Sequence, residues 1–113
     1  MLTDLKYLQQ MTGNDSEIMK EMIDLFLKQL SEMRVDVDFF VESENWLDLS
    51  RLAHKIKSSS LVMGAVRMSE EMKELELMSK EGKDTEKYPE YIARLHTMID
   101  IVEMELRPYL SDN

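Results

Sequence analysis

Residues 45–65 read NWLDLSRLAHKIKSSSLVMGA. Within this stretch Trp46, Leu49, Leu52, Ala53, Ile56, Ser60 and Met63 recur at spacings of three and four. At about 100° per residue they fall in one arc of ~120°, the stripe of an amphipathic helix. Asn45 is suited to the N-cap, with Asp48 three residues on, and the helix is expected over residues 46–63. One such stripe cannot be buried alone, so its neighbours decide the fold.

Those neighbours carry the same period. A short first helix is expected over residues 3–11, packing Leu5 and Leu8 and closed by Gly13. A long second helix starts at Asn14 or Asp15, where Asn14 and Glu17 fit a capping box. Its stripe is Met19, Met22, Phe26, Leu30, Met33, Val37 and Phe40, widened by Ile18, Ile23 and Val41. The fourth helix starts near Gly64, carries Ala65, Met68, Met72, Leu75 and Met78, and stops at Gly82. The fifth starts between Asp84 and Pro89 and carries Tyr91, Ile92, Leu95, Ile99, Val102 and Leu106, ending near Pro108 to Leu110. Four long helices with short connections predict an all-α, antiparallel up-down-up-down four-helix bundle, with the first short helix capping one end.

Composition limits what such a bundle does. One domain over residues 1–113 is expected, monomeric, either free-standing or part of a larger chain. Cysteine is absent, so disulfides and thiolate metal sites are excluded. Neither a signal peptide nor an apolar run of about 20 residues is present, so no membrane association and a cytoplasmic location are expected. The net charge of −9 argues against nucleic acid as a partner. That charge is uneven: residues 49–69 contain no Asp or Glu but hold Arg51, His54, Lys55, Lys57 and Arg67. A locally basic segment in an acidic chain favours an anionic group or an acidic partner surface. The eleven Met residues read as adaptable core filling, since most fall on core stripes.

His54 lies ~140° from the centre of the apolar arc and is expected to face solvent. Beside it fall Leu47, Ser50, Ser58 and Leu61, with Arg51 and Lys57 at the margins. Imidazole titrates near ~6.5, so this residue type supplies a neutral nucleophilic nitrogen at cellular pH. Small hydroxyl residues leave room for a partner, basic residues neutralise charge, and the leucines bracket the imidazole with apolar contacts. By its chemistry the face is either a nucleophilic or docking site, or an ordinary solvated face with a stray histidine.

The run Ala53-His54-Lys55-Ile56-Lys57-Ser58-Ser59-Ser60, followed by Gly64-Ala65, resembles the signature of histidine-containing phosphotransfer (HPt) domains. There, Ala-His-x-Leu-Lys-Gly-Ser-Ser or Ala precedes Gly-Ala or Gly-Leu. Gly13-Asn14-Asp15 before a helix with Leu25-Phe26-Leu27, and Asn45-Trp46 opening the histidine-bearing helix, are similar to the family as well. The resemblance implies that His54 is the phospho-acceptor and that Lys57 stabilises the phosphoryl charge. Ser58 departs from the usual Gly and narrows the partner's approach. Ser59 and Ser60 match small packing positions, and Gly64 matches the turn into the next helix. The implied partner is a receiver domain of a response regulator or hybrid sensor kinase, which brings the Mg²⁺. The implied reaction is reversible transfer between its aspartate and His54. No cofactor and no metal are implied for this chain, and no nucleotide motif points to ATP binding or kinase activity.

Two other functions compete. A non-catalytic adaptor bundle would use the same face without chemistry. A di-iron bundle lacks its Glu-x-x-His elements, because Arg51 and Ala93 stand three residues before His54 and His96. Ser58 to Ser60 lack the Gly-x-Ser-x-Gly elbow of a serine nucleophile. His96 is expected to be structural, with Asp100 one turn on as its partner, and Glu70, Glu71, Glu74 and Glu76 to form a solvated face.

Overall fold

The computed structural model describes residues 1–111, so the last two residues of the expected 1–113 domain lie outside it. Among the described residues the elements are α1 (Lys6–Thr12), α2 (Ser16–Glu42), α3 (Trp46–Val62), α4 (Val66–Glu81) and α5 (Tyr88–Leu106). Single 3₁₀ turns, Thr85–Lys87 and Arg107–Leu110, flank α5. No strand occurs among them. The 27 residues of α2 account for most of the 45 Å long axis, at about 1.5 Å per residue. None of the helices is long and apolar enough to cross a membrane.

Cross-helix pairs give the directions. Ser50 Oγ donates to the Glu76 carbonyl and Ser69 Oγ to the Lys57 carbonyl, so α3 and α4 run antiparallel. Arg34 bonds Asp100 while Asp38 bonds His96, which makes α2 and α5 antiparallel. Glu74 meets Tyr91 and Glu71 meets Arg94 across α4 and α5. The expected four-helix bundle is therefore the observed one. Its core combines Ile23, Phe26, Leu27, Leu30 and Val37 of α2 with Leu49, Leu52, Ala53 and Ile56 of α3. Met68, Met72 and Leu75 of α4 and Ile92, Leu95, Ile99, Val102 and Leu106 of α5 complete it. Each such Val, Leu, Ile, Phe or Met side chain, fully buried, contributes about 1.5–3 kcal/mol.

Several details depart from the sequence reading. The N-cap of α2 is Asp15, whose carboxylate accepts from the Glu17 and Ile18 amides. Asn14 is instead left-handed (φ 62°), and its amide closes α1 on the Gln9 carbonyl. Gly13 and Asn14 are thus both used to end α1, leaving Asp15 as the first extended residue able to cap. Ile18 is exposed, whereas Leu27, Met98 and Tyr88, outside the expected stripes, are buried. Tyr88 packs edge-on against Trp46 and donates to the Lys83 carbonyl, anchoring the start of α3 to the α4–α5 connection.

The first residues are not helical but form a strap. Glu105 accepts from the Leu2 and Thr3 amides and the Thr3 hydroxyl. The Asp4 amide bonds the Met63 carbonyl at 3.0 Å. A Cβ on Gly64 would lie 2.1 Å from the Asp4 carbonyl oxygen, and Gly64 has φ +66°. Glycine is therefore required at the α3–α4 turn by both conformation and contact.

Candidate functional site

His54 projects from the middle of α3, and its side chain is 57% exposed. Ala53 and Ile56 are fully buried on the opposite side, so the helix cannot rotate to bury the imidazole without exposing its core face. Nδ1 of His54 lies 3.0 Å from Glu76 Oε2 on α4. A carboxylate only accepts, so Nδ1 carries the proton, and in the neutral ring Nε2 then holds the free lone pair. Nε2 has no protein partner among the described residues. The other Glu76 oxygen accepts from Lys57 Nζ at 2.8 Å. Burial opposes ionisation of Glu76, but the hydrogen bonds from Lys57 and His54 outweigh it and hold its carboxyl below the ordinary carboxylate range.

Glu76 was expected on a solvated face and is instead half-buried at the centre of this group. Glu71 and Glu74 are also engaged, with Arg94 and Tyr91. The signal was present in the hairpin register. A turn at Gly64 in an antiparallel pair brings position 74 level with position 54, and Glu76 two residues beyond is within reach of a long side chain.

The remaining expected residues divide. Leu47 and Leu61 are half exposed and flank His54 along α3. Ser58 is exposed, and its hydroxyl has no partner among the described residues. Arg51 is exposed and pairs loosely with Asp48 at 3.5 Å. Ser50 is corrected: it is 5% exposed and turned into α4. At ~100° from the core centre it sits on the flank that α4 covers, the same flank from which Lys57 reaches Glu76. Ser60 is buried and donates to its own helix at the Ile56 carbonyl. The site is also less basic than the acid-free run suggested, because Glu76 neutralises Lys57 from another helix.

His96 provides a contrast. Arg34 Nε donates to its Nδ1 at 3.2 Å, and its Nε2 lies 2.8 Å from Asp38 Oδ1. Both nitrogens are occupied, and the tautomer is opposite to that of His54. Asp100, its expected partner, bonds Arg34 instead. Of the two histidines, His54 alone offers an unengaged, exposed nitrogen.

The family model for the Hpt domain matches residues 18–105. The chain belongs to the Hpt domain family. Hpt domains are phosphotransfer modules of two-component phosphorelays without kinase activity of their own, and they interact with receiver domains. No curated protein and no solved structure matches this chain. The family match spans α2 to α5 almost entirely, so the whole bundle that positions His54 lies within the Hpt domain.

Proposed function

We propose that this Hpt domain is a phosphorelay intermediate that accepts phosphoryl on His54 from a receiver aspartate and passes it to another receiver. The supporting observation is geometric: Glu76 Oε2 lies 3.0 Å from Nδ1 and leaves Nε2 exposed without a protein partner among the described residues. In the forward step the Nε2 lone pair attacks phosphorus and the P–O bond to the receiver carboxylate breaks. The carboxylate leaves with the electron pair. Nδ1 keeps its proton, so the phosphorylated ring is an imidazolium whose positive charge faces the Glu76 carboxylate. Transfer back to an aspartate reverses each bond change. Lys57, on a flexible stem within reach of the same ring, compensates phosphoryl charge. Leu47, Arg51, Ser58 and Leu61 line the face that the receiver meets, and any Mg²⁺ belongs to the receiver. This chain contributes positioning and charge compensation, which suits a transfer dominated by those two terms. A larger parent such as a hybrid kinase is compatible with this role.

The test is transfer from a panel of phosphorylated receivers. Wild type is expected to gain an acid-labile, base-stable phosphohistidine, and His54→Gln to gain none. Equal labelling of His54→Gln would refute phosphotransfer through His54, and binding of receivers with no labelling of wild type would favour a non-catalytic adaptor.

A further inference from the structure

His54 stands on a ridge between two grooves of different character. On the α3/α4 side the groove is lined by Leu47, Arg51, Lys80 and the Lys57-neutralised Glu76. On the α2/α3 side it is lined by Glu32, Asp36, Met33, Ser58 and Ser59, with Lys55 at the rim of both. Glu32 and Asp36 lie one turn apart, both exposed, and neither has a hydrogen-bond or ion-pair partner among the described residues. Gln29 and Ser59 continue that groove into an apolar hollow formed by Met22, Leu25, Phe26 and Val62. Leu25 is 57% exposed at its edge. The surface around the nucleophile is therefore acidic on one flank, basic on the other, and apolar beyond the acidic flank.

We propose that this asymmetry selects and orients the receiver, which presents a Lys or Arg to Glu32 and Asp36 and an apolar side chain to the Leu25–Val62 hollow. Leu25 and Glu32 are seven residues apart on one helix, so the two features on the partner lie ~10 Å apart. The inference rests on the phosphotransfer reading, since the receiver is the occupant and the groove is continuous with His54. Like charges brought together at an interface suppress wrong partners, and rim charges act mainly on association rate. A receiver with an acidic surface at this position is thus rejected before transfer.

The experiment starts from the purified receiver domain, phosphorylated with acetyl phosphate, that transfers fastest to wild type. Glu32→Lys/Asp36→Lys is expected to lower its transfer kcat/KM about tenfold at low salt, with the gap closing at high salt. Leu25→Ser, at an exposed position, is expected to lower it severalfold without salt dependence. Glu86→Lys/Glu90→Lys, which changes net charge equally at exposed positions outside the grooves, is expected to leave it unchanged. Labelling of His54 by phosphoramidate, which needs no docking, is expected to be the same in all of them. Equal losses in the two charge-reversed doubles, or no loss in the first, overturn the proposal. Failure of phosphoramidate to label His54 in wild type instead overturns the reading on which it rests.

Discussion

Replacing Glu76 by Ala removes the acceptor that fixes the His54 tautomer. The bond lost is charge-assisted, and both groups are partly solvated, with side-chain exposures of 57% for His54 and 20% for Glu76. The low end of the range for charged hydrogen bonds therefore applies, about 1.5 kcal/mol. The substitution also releases Lys57 toward the incoming phosphoryl, which returns at most ~0.5 kcal/mol for a flexible, partly exposed cation. The net loss is about 1 kcal/mol, or roughly a fivefold slower transfer. Nitrogen-detected NMR of the imidazole reads the cause directly: wild type shows protonated Nδ1, and Glu76→Ala shows a mixture of tautomers. Glu76→Gln keeps an oxygen for Nδ1–H while Lys57 turns to solvent, so the tautomer stays and the rate falls only about twofold, because a neutral acceptor is weaker. If Glu76→Ala retains the wild-type tautomer and transfers at the wild-type rate or faster, Glu76 does not position the nucleophile.

Three further outcomes follow from particular contacts. Gly64→Ala sets a Cβ against the Asp4 backbone in a left-handed conformation and is expected to cost about 3 kcal/mol, against about 1 kcal/mol for Gly82→Ala, whose Cβ meets only Trp46 Cδ1 at 3.5 Å. Urea denaturation of the two variants checks the difference. Glu105 has its carboxyl below the ordinary value of 4.5: burial opposes its ionisation, but the bonds from Thr3 and Leu2 prevail. A lowered folded pKa stabilises the protein above the unfolded value and loses that stability as pH falls through the folded one, so Glu105→Gln should lower Tm near neutral pH by about 4 °C and flatten the decline below pH ~4.5. Thermal melts from pH 7 to pH 2.5 test both effects. Ser58→Gly should destabilise α3 by about 0.5 kcal/mol yet speed transfer at least twofold by opening the approach to His54; calorimetry and transfer kinetics measure the two separately.

Much of this site is legible along α3 alone. The stripe from Trp46 to Met63 fixes which side is buried, and His54 must then face away from it. Lys57 three residues on and the small residues after it are likewise local. Ser50 shows the limit of that view. A helical wheel has no neighbours, so a residue on the flank looks solvent-facing until a second helix covers it. The Met residues illustrate the converse: Met63, Met68 and Met72 are buried, as their stripes imply, but Met98 is buried off its stripe and Met104 and Met11 are exposed.

The helices, their order, the bundle and the outward aim of His54 were readable along the chain, because periodicity and the Gly64 turn are properties of near neighbours. Tertiary structure alone decided the electrostatics. Glu76 comes from 22 residues away to hold Nδ1, and it neutralises Lys57 inside a segment that has no acid of its own. Glu32 and Asp36 likewise reach the groove from α2. Charge acts through space, so an acid-free run of sequence became a site with carboxylates on two of its sides.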